Sequence, residues 1–125
     1  VPVVKGADQK SILDIAKEIF DLAEKTKARK IDLADLKGST FTITNYGSIG
    51  TLYGTPIINY PEAAILGIGR IIEKPVAINN KIEIRKILPL SLTFDHRILD
   101  GAIAARFMNE IKRHLEDPTL MFIEE

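Results

Sequence analysis

Two imidazoles, His96 and His114, are the side chains of this 125-residue chain that ordinarily titrate closest to neutral pH, which makes them the candidates for a general base. Their settings differ. His114 stands among Lys112, Arg113 and Glu116 late in a helical pattern, where a solvated helix face is expected. His96 follows the run Leu88-Pro89-Leu90-Ser91-Leu92-Thr93-Phe94 and belongs to Asp95-His96-Arg97-Ile98-Leu99-Asp100-Gly101, just before a second helical pattern. The end of a buried strand is where a rigid scaffold hands a side chain to a cleft, so His96 is a candidate for chemistry. The same segment also reads as a plain turn, with Asp100 capping the helix, Gly101 easing the bend and His96 half-buried and satisfied. A metal site built from both histidines is not expected, because they lie on separate elements with no other soft ligand. With no cysteine in the sequence, a thiolate ligand, a disulfide scaffold and a Cys nucleophile are excluded.

Other short patterns carry less. Gly67-Ile68-Gly69-Arg70 lacks the third glycine and the strand-turn-helix setting of a dinucleotide site, and close packing of a strand explains its glycines. Gly47-Ser48-Ile49-Gly50 lacks both the flanking pattern of a nucleophile elbow and the Lys-Ser/Thr ending of a P-loop. The surrounding segment, Asn45 to Gly54, reads as a flexible loop whose glycines permit close backbone approach to a ligand cleft.

The elements that must position these residues follow from periodicity. Ser11 and Asp14 have capping-box spacing, and Ile12, Ile15, Ala16, Ile19, Leu22 and Ala23 then form one helical stripe over about 12–28. Lys25, Lys27, Arg29 and Lys30 close that helix at the negative end of its dipole; no aromatic residue interleaves them as in a nucleic-acid surface. Asp32 to Lys37 suits a short turn ended by Gly38. Phe41, Ile43 and the intervening threonines alternate as a half-buried strand. Residues 63–72 and 87–94 are nearly continuous apolar runs, as in strands covered on both faces, and Asn79-Asn80 between them marks a hairpin turn. Ile103, Ala104, Phe107, Met108, Ile111 and Leu115 line a final helix that Asp117-Pro118 ends. The order predicts an α+β fold, a layered mixed β-sheet with packed helices.

The composition bounds the function class. Seventeen basic residues balance seventeen acidic ones, which weighs against nucleic-acid binding; 46% apolar and 27% charged residues are globular composition. No apolar run reaches the ~20 residues of a membrane span, and the first residues lack a signal peptide's layout, so a soluble protein of a reducing compartment is expected. The opening Val1-Pro2-Val3-Val4 reads as a strand already in progress, and the apolar surface is large for so short a chain. A fragment, or half of a larger domain, is therefore expected.

Asp95-His96-Arg97-x-x-Asp100-Gly101, preceded by Leu90-Ser91-Leu92, resembles the active-site motif of the dihydrolipoamide acyltransferases, the core components of 2-oxo-acid dehydrogenase complexes. The shorter His-x-x-x-Asp-Gly pattern is shared with chloramphenicol acetyltransferase and with peptide-synthetase condensation domains. The latter usually carry a second His where this chain has Asp95. Phe41-Thr42-Ile43-Thr44-Asn45-x-Gly47, Thr55-Pro56-Ile57-Ile58-Asn59 and Pro61-Glu62-Ala63-Ala64-Ile65-Leu66-Gly67-Ile68-Gly69 resemble further segments of the acyltransferases in the same order. So does the closing Asp117-Pro118 with Leu120-Met121.

The resemblance covers nearly the whole chain and implies that residues 1–125 form the C-terminal portion of a chloramphenicol-acetyltransferase-like catalytic domain about twice as long. It implies acyl transfer, acetyl or branched-chain, between a protein-bound dihydrolipoyl thiol and coenzyme A, without a metal. The site residues it implies are His96 as base, Thr44 as donor to the oxyanion, and the motif Asp100, whose spacing suits an anchor of the turn better than proton transfer. Thr44 also reads as an ordinary β-branched strand residue. The family builds its site between subunits of a homotrimer. Its trimers assemble into large symmetric cores that work with lipoyl domains and the other complex components, in the cytoplasm or, in eukaryotes, the mitochondrial matrix. A stand-alone chloramphenicol-type acetyltransferase and a non-catalytic core subunit are the alternatives.

Overall fold

The computed structural model describes residues 1–122 as two compact units, Val1–Thr40 and Phe41–Glu125; residues 123–125 of the expected domain lie outside the described residues. The first unit holds a short 3-10 turn at Ala7–Gln9, helix α1 over Ile12–Lys27 and a 3-10 turn at Leu33–Leu36. Ser11 caps α1 as its spacing predicts: the backbone N–H of Asp14 donates to Ser11 Oγ at 3.2 Å, and that hydroxyl donates to Asp14 Oδ2 at 2.6 Å. This bond holds the Asp14 carboxyl below its ordinary range. The helix ends through Arg29, which takes the left-handed conformation (φ 55°) that glycine usually supplies there, with Lys30 N–H donating to Lys25 carbonyl at 2.9 Å. Of the expected stripe only Leu22 is buried, and Ile12 and Ile19 stand exposed, as do Leu13 and Phe20 outside it. Val1 to Val4 is in no strand; Val3 N–H donates to Asp35 carbonyl at 2.8 Å.

In the second unit, β1 (Thr42–Asn45), β2 (Ala64–Ile68) and β5 (Leu90–Phe94) form a mixed sheet in the order β1-β2-β5. Strand β1 runs parallel to β2, pairing Thr44 with Gly67, and β5 runs antiparallel to β2, pairing Ser91 with Gly67 and Phe94 with Ala64. The central β2 carries the core: Ala64, Ile65 and Leu66 are buried in succession, as an uninterrupted apolar run requires of a strand covered on both faces. The two apolar runs of the sequence are shorter as strands than as runs. Residues 69–71 and 88–89 turn away from the sheet, so Ile72–Ile78 (β3) and Lys81–Ile87 (β4) form a separate two-stranded ribbon. Asn79 and Asn80, both at positive φ (49° and 60°), close it with the paired left-handed turn that matches strand twist. Helix α2 (Gly101–Glu116) packs on the sheet, where Ala104 is buried and Phe107 meets Phe41 edge-on, ring centroids 5.7 Å apart. A last 3-10 turn spans Pro118–Phe122.

Within β1 the apolar and polar faces are opposite to simple expectation. Ile43 is 59% exposed, whereas Thr42 and Thr44 turn inward, Thr42 to the Glu62 carboxyl and Thr44 to a groove.

The sheet's glycines are steric requirements. A Cβ on Gly67 would lie 2.6 Å from Tyr46 Oη, and one on Gly69 would collide with the Leu52 carbonyl. Gly101, by contrast, is the first residue of α2, where a Cβ would meet nothing within 4 Å, so the predicted need for glycine at that bend is not found. Gly69→Ala is therefore expected to destabilise by at least ~1–3 kcal/mol, since the obstructing atom is backbone. Gly101→Ala should be neutral or stabilise by up to ~1 kcal/mol. Calorimetric melting of the two variants checks the contrast.

Candidate active site

Thr44 is the third residue of β1, half-buried, and borders an open groove of about 510 Å³ with Tyr46, Thr51, Thr55, Ile57 and Ile65. Its hydroxyl has no hydrogen-bond partner among the described residues. The loop from Tyr46 to Gly54, expected to be flexible, is tied to the sheet edge instead. Tyr46 N–H donates to Ile68 carbonyl at 3.1 Å, Arg70 N–H donates to Thr51 carbonyl at 2.9 Å, and Gly47–Ile49 forms a 3-10 turn. The loop does line the groove, and the Tyr46 hydroxyl is buried there without a partner among the described residues.

His96 sits in the turn after β5. Asp95 N–H donates to Ala63 carbonyl at 2.8 Å, and Ile98 and Leu99 N–H both donate back to Asp95 carbonyl at 3.0 Å, so the chain folds tightly around His96 and Arg97. The imidazole is exposed, its ring 5.6 Å from that of Phe94, and neither nitrogen has a hydrogen-bond partner among the described residues. Arg97 Nε and Nη2 donate to Asp95 at 2.9 and 2.6 Å, and Arg97 N–H donates to Asp95 Oδ1 at 3.0 Å. Those bonds pull the Asp95 carboxyl down to about 2. The neighbour of His96 is thus a fixed ion pair across the neutral range. Asp100 is the N-cap of α2, its Oδ1 accepting from Ile103 N–H at 2.8 Å. His114, expected to be solvated, is half-buried, with Nδ1 3.0 Å from Glu110 carbonyl.

The register decides what one chain can assemble. Thr44 and Ser91 both pair with Gly67, on opposite edges of β2, and Phe94 is three residues beyond Ser91. Three residues of strand rise and two strand spacings, each about 10 Å, put the Thr44 and Phe94 backbones roughly 14 Å apart, with His96 two residues after Phe94. A reacting carbon must lie ~3 Å from both a base-bound thiol and an oxyanion donor. The register of one chain therefore does not bring Thr44 beside the end of β5 that leads to His96. Sequence reasoning identified both residues and the Asn45 to Gly54 loop beside the groove but missed Ile57 and Ile65 as groove walls. It also missed Glu62, a buried carboxylate beneath β1, since nothing in the spacing of these residues signals a shared surface.

Residues 1–123 match the family model of the 2-oxoacid dehydrogenases acyltransferase catalytic domain. The chain is 51% identical over 123 residues to a dihydrolipoyllysine-residue acetyltransferase component of the pyruvate dehydrogenase complex from Acholeplasma laidlawii, covering 98% of this chain and 23% of that protein. A dihydrolipoamide acetyltransferase from Azotobacter vinelandii superposes with TM-score 0.93 at 42% identity; its structure addresses the role of a serine, a histidine and an asparagine in catalysis. The cubic core of the pyruvate dehydrogenase multienzyme complex superposes equally well, TM-score 0.93 at 42% identity. In both, the match covers 98% of this chain and 50% of the solved chain. The chain thus spans about a quarter of the curated relative and half of each solved chain.

Two outcomes follow from the turn. Because the folded Asp95 pKa is depressed, the pair's stabilisation is present above the ordinary carboxylate range and is lost as pH falls toward about 2. Arg97→Ala should return Asp95 toward ~3.9, read by carboxyl NMR titration. Asp100→Ala should cost about 1 kcal/mol of stability on thermal melting, and Asp100→Asn much less, because an asparagine carbonyl also caps.

Proposed function

The chain belongs to the 2-oxoacid dehydrogenase acyltransferase catalytic-domain family, and on that premise we propose that residues 1–125 are the C-terminal portion of such a domain, transferring an acyl group between a protein-bound dihydrolipoyl thiol and coenzyme A. The observation that carries the reading is a spacing. The serine and histidine of the Azotobacter acetyltransferase stand 52 residues apart, and its histidine and asparagine four; Thr44, His96 and Asp100 repeat both intervals. Threonine keeps the hydroxyl, and aspartate keeps the capping oxygen. The relatives' names favour acetyl as the group carried, and the family match runs against the stand-alone chloramphenicol-type reading.

The chemistry is then direct. A thiol of pKa ~8.5 is mostly protonated near neutral pH and a poor nucleophile until its proton is removed. His96 takes that proton as the sulfur attacks the thioester carbonyl carbon. The carbonyl electron pair moves onto oxygen, and the Thr44 hydroxyl donates to the resulting oxyanion. Collapse re-forms the carbonyl and breaks the bond to the departing sulfur, which takes the proton back from His96. Coenzyme A and the lipoyl arm serve as alternating acyl carriers, and no step calls for a metal. Asp100 anchors the turn that aims His96 by capping α2.

The roughly 14 Å between the ends of the two strands supports a site completed across subunits of a homotrimer, with the base from one chain and the hydroxyl from its neighbour. Similarity to a cubic core supports further assembly with lipoyl domains and the other components of a dehydrogenase complex. No described helix is long and apolar enough to cross a membrane, and a cytoplasmic setting fits the bacterial relatives.

In the full-length acyltransferase, His96→Ala should lower transfer from acetyl-coenzyme A to dihydrolipoamide by ~100- to 10,000-fold. Thr44→Ala should lower kcat by ~100- to 1,000-fold with little change in KM. Near-normal turnover in His96→Ala contradicts the base role, and a change confined to KM reassigns Thr44 to binding.

A further inference from the structure

Glu62 is the one charged side chain that is buried among the described residues, 6% exposed, at the turn leading into β2. Its carboxylate joins two segments that are distant in sequence. Thr42 Oγ1 donates to Glu62 Oε2 at 2.6 Å, and Asn59 Nδ2 donates to Glu62 Oε1 at 3.1 Å; Glu62 N–H closes the turn on Asn59 carbonyl at 2.9 Å. Thr42 lies two residues before Thr44 on the same face of β1, and Asn59 lies two residues after Ile57, which walls the groove beside Thr44. One carboxylate therefore pins the strand that carries Thr44 and the loop that faces it across the groove.

A buried carboxyl group is costly to desolvate, and an apolar residue here would pack at no such cost. What the carboxyl group adds is direction: hydrogen bonds to Thr42 and Asn59 tie the height and rotation of β1 to the loop. We propose that Glu62, acting through Thr42, is a positioning residue that sets the Thr44 hydroxyl against the developing oxyanion. This rests on the acyl-transfer reading of Thr44. A hydroxyl displaced by ~1 Å from its acceptor can forfeit up to ~100-fold in rate while substrates still bind.

The test is a kinetic cycle in the full-length, assembled acyltransferase, using acetyl-coenzyme A and dihydrolipoamide. Thr42→Val, which keeps shape and removes the donor to Glu62, should lower kcat ~10- to 100-fold and leave both KM values within about twofold. Thr42→Ser should restore most of the loss. In a Thr44→Ala background the same Thr42→Val change should cost nothing further, because there is no hydroxyl left to position. Light scattering and far-UV circular dichroism establish that each variant assembles. If Thr42→Val does not, Glu62→Gln, which keeps the volume but only one acceptor oxygen, must show the same loss and the same disappearance in the Thr44→Ala background. An unchanged kcat, or a loss of equal size with and without the Thr44 hydroxyl, overturns the positioning role alone. Full activity of Thr44→Ala overturns the reading beneath it, and this inference with it.

Discussion

The pairing of β1 and β5 on opposite sides of β2 is the constraint on which the rest depends. The register places Thr44 beside one end of β2 and the exit to His96 beyond the other. A one-residue slip of β1 would turn Thr42 away from the Glu62 carboxyl and bring Ile43 in its place, so the polar face of β1 specifies its register on β2. Gly67 and Gly69 tighten this further, since the Tyr46 ring and the Leu52 carbonyl occupy the space their side chains would fill. The groove residue and the turn residue are thus rigidly held, and rigidly held apart.

Each is presented without being spent on internal bonding. The Thr44 hydroxyl and the His96 imidazole make no hydrogen bond among the described residues, while carboxylates next to them in sequence or structure are engaged. Asp95 is locked to Arg97, Asp100 to the first turn of α2, and Thr42 to Glu62. Fixing the neighbours and leaving these two groups unengaged is the arrangement that the proposed acyl transfer requires. It also accounts for the inward polar face of β1. A strand whose threonines must meet a carboxylate and a groove turns its isoleucine outward.

Local chemistry made much of this legible from the sequence. Ser11 and Asp14 announced α1, Asn79-Asn80 announced the ribbon turn, and Asp100 announced the cap of α2, each through a side chain acting within three residues of itself. The strand limits were less legible, because an apolar run does not say where the chain leaves the sheet; residues 69–71 and 88–89 do so at backbone contacts such as Gly69 N–H to Pro89 carbonyl. Glu62 was invisible for a related reason. Its partners Thr42 and Asn59 are chosen by tertiary packing, which spacing along the chain does not encode. His96 was singled out by its place at the exit of an apolar strand, but its role as base, like that of Thr44 as donor, was legible only through the family motif, since a turn histidine and a strand threonine carry no signal in their local periodicity.

The central claim is that base and oxyanion donor come from different chains. It is tested most directly by co-expressing full-length His96→Ala and Thr44→Ala subunits and measuring acyl transfer by the mixed core. Random assortment should restore roughly one quarter of the intact sites, far above either parent alone, if each site takes its imidazole from one chain and its hydroxyl from the next. A mixed core no more active than its parents would contradict the account, since it would place both groups in a single chain.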